Sequence, residues 1–435
     1  MELADFILAH EADDLGKLAL ARDRYAGEVE DFDLALTTLE VRRKLREKVP
    51  QWYAVPSLRY PLRISGEQCS SSETAKYKAS VAHAAAGGRI ADLTGGLGVD
   101  SWAFAQVFDQ VLYNEMRPEL ADAARRNFAA LGLDNVRVSC AELVAERHPV
   151  KPGVTVSSCP CPPASSCPSP LSSSCPTPIG HLLGDFQPDI LFLDPARRAS
   201  DGRKVFRLED CQPDVLQLLP ELLAACPLVL LKLSPMADIS LVCKQLGCVK
   251  ALHVVGAEGE CKELLLLLER GYAGPYTLTV YSNGAVADIT ASILRETPDQ
   301  VGGDAASWLF EPGKALLKAG AFDWPCRFGL QKLGQHTHAY VSAEPVEELK
   351  PFGKWYQLLE VVPLNNRSIK EIGRRYPGAD VTARNIPITS EALRAKLSKN
   401  AIPSPDNIPN QPPHVFGLHI DATKSNYLLV CTLLK

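Results

Sequence analysis

The strongest constraint on the fold of this chain is the alternation between residues 89 and 270, where short apolar runs are followed by helix-length amphipathic stretches. This alternation is typical of successive βαβ units, which build a parallel sheet. Seven runs have the length and composition of strands: 89–93, 110–114, 136–139, 189–193, 228–233, 252–255 and 263–268. Because too few residues separate the last two for a helical crossover, we expect them to pair as an antiparallel hairpin. The sequence therefore predicts an α/β fold with five helix-linked strands and a terminal hairpin.

The length of the chain predicts several domains, because 435 residues exceed one core of ordinary size. We expect a helical region over 1–85 and the α/β domain over 86–272. After residue 272 the pattern changes to shorter alternating segments, which predict two small α+β units over 273–345 and 346–435.

Residues 151–180 interrupt the α/β pattern and are rich in Ser, Pro and Cys. Pro removes backbone donors and little in this stretch can be buried, so its composition favours a disordered surface loop. A metal site is the alternative. Zinc sites usually show paired C-x₂₋₄-C spacing, whereas this stretch has Cys159-Pro160-Cys161 and isolated cysteines beyond it. We therefore predict no metal site.

Composition and charge narrow the function classes. No apolar run approaches the roughly 20 residues that cross a bilayer, and residues 1–11 carry acids where a signal peptide is basic. We expect a cytoplasmic protein without a membrane partner. The net charge of -5 argues against a uniformly basic nucleic-acid binder, but residues 361–400 hold eight bases against three acids. Any polyanion is expected to meet that basic stretch.

A glycine-rich turn follows the first predicted strand, in Asp92-Leu93-Thr94-Gly95-Gly96-Leu97-Gly98-Val99-Asp100. Glycines allow backbone amides to approach a ligand closely, and a helix follows the turn. Glu115 ends the second strand, where an acid can accept both hydroxyls of a ribose. The pattern therefore favours a ligand that contains adenosine.

Charge and glycine spacing decide between adenosine ligands. Ser101 stands where a dinucleotide-binding turn has its third glycine. Asp92 at the strand end would repel a pyrophosphate, whereas it would stabilise the ammonium and sulfonium groups of S-adenosylmethionine. We therefore predict S-adenosylmethionine as the cofactor.

Residues 89–270 resemble the class I S-adenosylmethionine-dependent methyltransferases. The resemblance implies a Rossmann-like, seven-stranded methyltransferase domain. It implies that Asp92 and the glycine turn hold the methionine part of the cofactor and that Glu115 holds the ribose. It also places Met116 against the adenine and Glu142 near its amino group. The predicted cofactor site comprises Asp92, Thr94, Gly95, Gly96, Gly98, Asp100, Glu115, Met116, Ala141, Glu142 and Asp194.

The second motif is Asp194-Pro195-Ala196-Arg197-Arg198 at the end of the fourth strand, where ligands collect in open α/β sheets. In amino-group methyltransferases this place carries Asn/Asp-Pro-Pro-aromatic. Asp194 and Pro195 match that pattern, but the aromatic that stacks on a flipped base is missing. Arg197 and the bases after it can hold phosphates, or they form a solvated charged loop.

Methyl transfer needs little acid–base machinery, because the cofactor carries an activated methyl group. Asp194 is the candidate that orients the nucleophile or accepts its proton. Lys232 and Ser234, at the end of the fifth strand, are further candidates, and a structural ion pair is an equal alternative for Lys232. The predicted catalytic set is Asp194, Pro195, Arg197 and Lys232.

Nearly the whole chain resembles a narrower bacterial family in which a ferredoxin-like and a THUMP-like domain follow the methyltransferase domain. The residues that carry this resemblance are Glu67-Gln68-Cys69-Ser70-Ser71, Ala75, Tyr77, Lys78, Asp194-Pro195-Ala196-Arg197, Glu311-Pro312, Lys318-Ala319-Gly320 and Thr337-His338. It implies a ferredoxin-like domain over 273–345, a THUMP-like domain over 346–435, and RNA as the substrate. The alternatives are an RNA-binding or assembly protein without turnover, and methylation of a protein or small molecule. The oligomeric state is left open.

Overall fold

The computed structural model describes residues 1–25, 27–145, 176–197, 208–289, 307–400 and 413–434. Its contacts divide the chain into two compact units. The first consists of residues 1–252 and 264–276, and the second of residues 253–263 and 277–435. The chain thus passes between the units twice within one β-hairpin.

The first unit contains twelve α-helices among its described residues, and seven of them precede the first strand. They are α1 (Leu3–Ala9), α2 (Leu15–Leu20), α3 (Arg22–Tyr25), α4 (Phe32–Lys48), α5 (Pro50–Tyr53), α6 (Arg63–Gln68), α7 (Ser72–Ala85), α8 (Val99–Phe104), α9 (Pro118–Ala130), α10 (Ile179–Leu183), α11 (Val215–Ala225) and α12 (Ile239–Leu246). The strands are β1 (Arg89–Asp92), β2 (Gln110–Asn114), β3 (Val136–Ser139), β4 (Glu142–Leu143), β5 (Pro176–Thr177), β6 (Ile190–Leu193), β7 (Ala196–Arg197), β8 (Cys211–Gln212) and β9 (Leu228–Leu233), followed by the hairpin β10 (Val249–Ala257) and β11 (Glu260–Glu269).

The central sheet has nine strands in the described part of the chain, and the seven predicted from the sequence lie side by side in the order β3-β2-β1-β6-β9-β11-β10. Strands β3, β2, β1, β6 and β9 are parallel to one another. Strand β11 runs antiparallel to β9. The strands of β1 and β6 are buried along most of their length, as expected for a parallel sheet covered on both faces. The predicted Rossmann-like, seven-stranded α/β fold is confirmed.

The terminal hairpin is longer than its apolar runs predict. Strands β10 and β11 extend past the predicted 252–255 and 263–268 to meet at Glu258 and Gly259, which both have positive φ (54° and 76°). Two such residues form a tight turn whose twist matches a hairpin. Backbone pairing therefore continues through polar residues that the hydrophobic pattern does not mark as strand.

The helices before β1 belong to the same unit as the sheet. Helix α7 begins after Ser71, whose Oγ caps the helix by accepting a hydrogen bond from the backbone N–H of Thr74 at 3.2 Å. Trp52 of α5 is fully buried, and a Cβ on Gly98 would lie 3.7 Å from its ring. The predicted boundary at 85/86 therefore does not separate two cores.

The second unit contains three α-helices and nine strands of its own among its described residues. They are β12 (Thr277–Ser282), β13 (Ala285–Ile289), β14 (Trp308–Pro312), α13 (Lys314–Lys318), β15 (Gln331–Lys332), β16 (Tyr340–Ser342), β17 (Gly353–Pro363), α14 (Asn366–Arg375), β18 (Asp380–Arg384), α15 (Ser390–Ser398), β19 (His414–Ile420) and β20 (Ser425–Leu433). Strands β12 and β13 form an antiparallel hairpin.

The other seven strands form one sheet with the order β15-β16-β14-β17-β20-β19-β18. The predicted boundary at 345/346 falls between β16 and β17, yet both strands pair with β14 in this sheet. The two small units expected from the sequence are therefore joined by continuous backbone pairing. Local alternation marks strands but carries no information about which strands pair, so the sequence does not reveal that one sheet runs across the predicted boundary.

A part-buried polar network ties β14 to the edge strand β18. The guanidinium of Arg384 donates to Glu311 Oε1 at 2.5 Å, and the hydroxyl of Tyr356 donates to Glu311 Oε2 at 3.1 Å. Arg384 also donates to the carbonyl of His338 at 2.8 Å. Glu311 and His338 belong to the residues that carry the sequence resemblance. Both accept hydrogen bonds from Arg384, which lies in β18.

Most of the Cys- and Pro-rich stretch lies outside the described residues, and so does the metal site weighed there. Residues 176–180 are described, and they belong to β5 and to α10, whose Ile179 is buried. The predicted loop therefore extended too far at its C-terminal end, because an apolar turn there packs into the core. No helix in the described part of the chain is both long and apolar enough to span a membrane.

Candidate functional site

One cavity of about 520 Å³ opens in the first unit where β1, β2, β6 and β9 end. The carboxyl ends of parallel strands are where open α/β sheets bind ligands. The wall is formed by Ile64, Ser65, Gln68, Cys69, Ser70, Leu93, Thr94, Gly95, Gly96, Leu97, Gly98, Val99, Asp100, Asn114, Glu115, Met116, Arg117, Leu120, Ala141, Glu142, Leu143, Asp194, Ala196, Gln212, Pro213 and Lys232. All of the predicted cofactor residues except Asp92 line it.

The glycine turn needs glycine for two different reasons. A Cβ on Gly95 would lie 2.1 Å from the Cε2 atom of Tyr113, so a side chain there is excluded by the ring. Gly98 has φ of 94°, a left-handed conformation that L side chains rarely adopt. The hydroxyl of Tyr113 in turn donates to the carbonyl of Gly96 at 2.6 Å. Strand β2 therefore holds the turn from below and leaves its upper face open to the cavity.

Glu115 lies at the end of β2 with its carboxylate fixed by two backbone amides. Its Oε2 accepts from the N–H of Gly96 and its Oε1 from the N–H of Arg117, each at 2.9 Å. Burial raises the pKa of this carboxyl, and these two hydrogen bonds lower it. A carboxylate held in this way keeps lone pairs for hydroxyl donors of a ligand.

Asn114, just before Glu115, is a wall residue that the sequence did not single out. Its Nδ2 donates to the carbonyls of Leu93 and Ala141 at 3.2 and 3.1 Å. Its Oδ1 is buried and has no hydrogen-bond partner among the described residues. A polar residue at a strand end, next to an acid, is the signal that could have found it. Ala141, Glu142 and Met116 lie in the same wall, as predicted.

Asp92 does not line the cavity. It is 1% exposed and lies beneath the turn, where it accepts hydrogen bonds from Ser101 Oγ at 2.5 Å and from the Thr94 N–H at 3.1 Å. Burial raises the pKa of Asp92 to about 8, against the effect of those hydrogen bonds. The ionised form of this carboxyl is therefore less favoured than that of an exposed aspartate. The direct charge contact predicted for Asp92 is replaced by support of the turn from inside, because its side chain points into the core.

Asp194 and Lys232 face each other at the ends of β6 and β9. Lys232 Nζ lies 2.5 Å from Asp194 Oδ2, and the two side chains are 16% and 33% exposed. The backbone N–H of Asp194 donates to Thr94 Oγ1 at 2.6 Å, which joins the strand end to the glycine turn. The structure thus brings both predicted catalytic side chains to the cavity, as an ion pair that remains partly open to solvent.

The other two residues of the predicted catalytic set are placed differently. Pro195 is buried and is not a wall residue, whereas Ala196 beside it is. Arg197 belongs to β7, which pairs with β8 so that Arg197 is opposite Cys211. The side chain of Arg197 and the basic residues Arg198, Arg203, Lys204 and Arg207 lie outside what the structure describes.

The N-terminal region supplies a wall that sequence reasoning missed. Ile64, Ser65, Gln68, Cys69 and Ser70, from α6 and the turn after it, all line the cavity. Burial raises the pKa of the Cys69 thiol. The signal available in the sequence was a run of small polar residues between two helices, Cys69-Ser70-Ser71, which was used only as part of the resemblance.

Comparisons with known proteins agree with this geometry. Over its whole length the chain superimposes on a Porphyromonas gingivalis W83 protein of known crystal structure, assigned as a methyltransferase, with a TM-score of 0.74 and 27% identity, covering 98% of that chain. Over 212 residues it is 28% identical to an uncharacterised S-adenosylmethionine-dependent methyltransferase found in two Mycobacterium tuberculosis strains. These relatives are named as methyltransferases, and the mycobacterial ones as S-adenosylmethionine-dependent.

The matches differ in extent. The alignment with the mycobacterial relatives covers 48% of this chain and 56% of theirs, so the chain spans about half the length of the curated relatives it matches. A family profile described as a ferredoxin-like domain matches residues 308–349. This range contains β14, α13, β15 and β16. The methyltransferase fold and a ferredoxin-like segment are thus shown, each in its own part of the chain.

Proposed function

We propose that this protein binds S-adenosylmethionine in the cavity of the first unit and transfers its methyl group to RNA. The observation that carries the proposal is the placement of two acids at one cavity on opposite sides of β1. Glu115 follows β2, and Asp194 follows β6. The first is suited to bind a ribose, and the second, paired with Lys232, to handle a nucleophile.

The residues present fit this cofactor. A volume of about 520 Å³ falls within the range of small-molecule sites. Gly96 adds no side chain above the turn, and a Cβ there would meet only a carbonyl oxygen 4.0 Å away. The partnerless Oδ1 of Asn114 offers an acceptor to a ligand donor. Glu115 would hold the ribose hydroxyls, with Met116 and Glu142 beside the base.

When bound, the cofactor supplies an activated methyl group together with its leaving group. The protein must therefore align the nucleophile, exclude water and take up one proton. Asp194 is placed to accept that proton at its carboxylate, since part of this side chain faces the cavity. Lys232 holds the carboxylate in one orientation through the 2.5 Å contact. Asp194 is the proposed proton acceptor, and Lys232 is its positioning residue.

The proposed substrate class rests on the charge of the second unit. Helices α14 and α15 pack closely, because a Cβ on Gly373 would lie 2.4 Å from the carbonyl oxygen of Leu397. Their cations with exposed side chains are Arg367, Lys370, Arg374, Arg375, Arg394, Lys396 and Lys399. Arg367 and Arg375 pair with Glu371 and Glu360. A basic face of this kind is the usual electrostatic footprint of nucleic-acid binding.

The finer assignment of residues 346–435 as a THUMP-like domain belongs to the same proposal. In this segment the parallel pair β18 and β19 is flanked by α14 and α15, which carry the basic side chains. THUMP domains belong to RNA-modifying enzymes, so this assignment and the charge pattern both favour RNA over a protein or a small molecule.

The test is transfer of a tritiated methyl group from S-adenosylmethionine to total bacterial RNA. We expect wild-type protein to label RNA and the label to vanish after RNase treatment. Asp194→Asn should lower the transfer rate about 100-fold or more, the usual contribution of a positioned base. Asp185→Asn is the matched control, because Asp185 is exposed and lies outside the cavity.

Three results would contradict the proposal in different ways. Binding of the cofactor without any transfer favours an RNA-binding or assembly protein. Label that resists RNase but is lost with protease or dialysis points to a protein or small-molecule substrate. Undiminished transfer by Asp194→Asn removes the catalytic role from that residue.

A further inference from the structure

A buried charged cluster joins the N-terminal wall of the cavity to the helix after the glycine turn. Lys78 of α7 is fully buried, and its Nζ lies 2.5 Å from Ser70 Oγ and 3.0 Å from Asp100 Oδ1. Ser70 Oγ donates to Asp100 Oδ2 at 3.0 Å. Ser70 and Asp100 line the cavity, whereas Lys78 does not. The ammonium therefore holds the two wall residues from the protein side.

The wall that carries Ser70 is rigidly attached to the rest of the unit. A Cβ on Gly66 would lie 2.6 Å from Val41 Cγ1, so α6 packs directly on α4. Lys48 Nζ donates to the carbonyls of Gly66 and Glu67 at 3.3 and 2.8 Å. Ser70 is thus fixed relative to Asp100 before any ligand binds, which lowers the ordering cost of binding.

The cluster and Glu115 line the same cavity from different elements, Asp100 from α8 and Glu115 from the end of β2. Ser101, next to Asp100, donates to Asp92 at the end of β1. Strand β6, which carries Asp194, and strand β2, which carries Glu115, flank β1 on opposite sides. A ligand that fills this cavity with its ribose at Glu115 therefore has Asp100 as a second acid in the wall around it.

We propose that Ser70 and Asp100 bind the α-amino-acid end of the cofactor, with Lys78 as the residue that positions them. This inference rests on the proposed function and replaces Asp92 as the acid that meets the cofactor's positive charge. Asp100 accepts hydrogen bonds from the ligand ammonium. Ser70 Oγ, whose own proton is donated to Asp100, accepts a further hydrogen bond from the ligand ammonium. Lys78 neutralises Asp100 in a place without solvent and fixes its orientation.

The experiment compares two ligands that differ only in the part in question. S-adenosylhomocysteine keeps the amino-acid end, and 5′-methylthioadenosine lacks it while retaining the nucleoside and the sulfur. Calorimetry on the full chain gives the affinity of each. We expect Asp100→Asn to weaken S-adenosylhomocysteine about 10- to 100-fold and Ser70→Ala about 3- to 10-fold, as for lost charged and neutral hydrogen bonds. The affinity for 5′-methylthioadenosine should be unchanged in both.

Lys78 is tested through the same selectivity between ligands. Lys78→Met leaves Asp100 buried without its cation, so the double variant Lys78→Met/Asp100→Asn, which removes both charges, guards against simple unfolding. We expect both variants to lose the preference for S-adenosylhomocysteine over 5′-methylthioadenosine. A purely structural lysine would weaken both ligands equally. Lys76→Met, Asp109→Asn and Ser80→Ala are matched controls at exposed positions outside the cavity.

The outcomes separate this inference from the proposed function. Loss of selectivity between the two ligands in the cavity variants alone supports the inference. Equal weakening of both ligands, or no change in either, overturns it while leaving cofactor binding intact. Wild-type protein that binds neither ligand overturns the proposed function, and the inference with it.

Discussion

The carboxylate of Glu115 accepts a hydrogen bond from the backbone N–H of Gly96 at 2.9 Å, across the mouth of the glycine turn. This contact joins the end of β2 to the turn after β1, so the acid and the glycines form one rigid surface. The second oxygen is held by the N–H of Arg117 at the same distance. The orientation of the acid is therefore set by the backbone rather than by the ligand.

Replacing this carboxylate should weaken the ligand more than the fold. In Glu115→Gln one carboxylate oxygen becomes an amide NH₂, which cannot accept a hydrogen bond from the backbone N–H of Gly96 or Arg117 that it faces. An acceptor for a ribose hydroxyl is lost as well. We expect affinity for S-adenosylhomocysteine to fall about 10- to 100-fold, measured by calorimetry. Glu119→Gln, at an exposed position outside the cavity, should bind like the wild type. Equal affinities of Glu115→Gln and wild type would show that the ribose lies elsewhere.

A methyl group on Gly95 should disrupt the turn. The added Cβ of Gly95→Ala would lie 2.1 Å from the Tyr113 ring, which is buried and cannot swing away. We expect a loss of about 1–3 kcal/mol in the free energy of unfolding, measured by urea denaturation. Gly180→Ala is the control, since nothing lies within 4 Å of its Cβ and it sits in a helix, where alanine is favoured by about 0.5–1 kcal/mol. An unaffected Gly95→Ala would mean that the turn rearranges at no cost.

The raised pKa of Asp92 predicts how stability depends on pH. Burial raises its pKa in the folded protein to about 8, against about 3.9 in an unfolded chain. The folded state therefore binds this proton more tightly. The stability gained from it is complete below about pH 4 and is lost progressively as pH rises toward 8.

Asp92→Asn imitates the protonated carboxyl and should remove this pH dependence. Urea denaturation at pH 5, 7 and 9 measures the free energy of unfolding of both proteins. The wild type should lose stability relative to the variant as pH rises to about 8, and the difference between the two should stay constant at higher pH. The exposed Asp109→Asn serves as control and should show no such trend. A difference between wild type and Asp92→Asn that does not change with pH would mean that Asp92 is ionised throughout.

The basic face of α14 and α15 should govern RNA affinity through phosphates. Lys370 and Arg374 are exposed cations one turn apart on α14. Replacing both by alanine should weaken RNA binding and lower the slope of log affinity against log salt by about 0.7–0.9 for each lost contact. Filter binding across salt concentrations measures both quantities. Lys17→Ala together with Arg24→Ala, in the acidic N-terminal helices, is the control pair. An unchanged slope for the α14 variant would place the RNA on another surface.

Much of the fold followed from local pattern. Strands β2, β3 and β9 have the bounds that the apolar runs predict, because each is a short run that follows helix-forming sequence. The pairing of β14 with both β16 and β17 was not predictable in the same way. Strand pairing between distant segments depends on contacts that no single window of sequence contains.

The sequence predicted most of the residues that line the glycine-turn side of the cavity, but not the contacts that each of them makes. Glycine turns and acids at strand ends are local signals, so Glu115, Asp194 and the turn residues were found. The sequence shows that Asp92 lies at a strand end next to the turn, but it does not show whether the side chain points to the ligand or into the core. We expected it to point to the ligand. The side chain turns inward to Ser101, and burial raises its pKa to about 8.

The amino-acid sequence alone determined the α/β architecture, the position of the glycine turn and the acids beside it, since these depend on residues near one another in the chain. Only the tertiary structure decided that the wall 64–70 closes the cavity and that Lys78 reaches Asp100. The physical reason is that a buried ion pair and a cavity wall are formed by segments far apart in sequence. Their partners are therefore selected by packing, which hydrophobic periodicity does not encode.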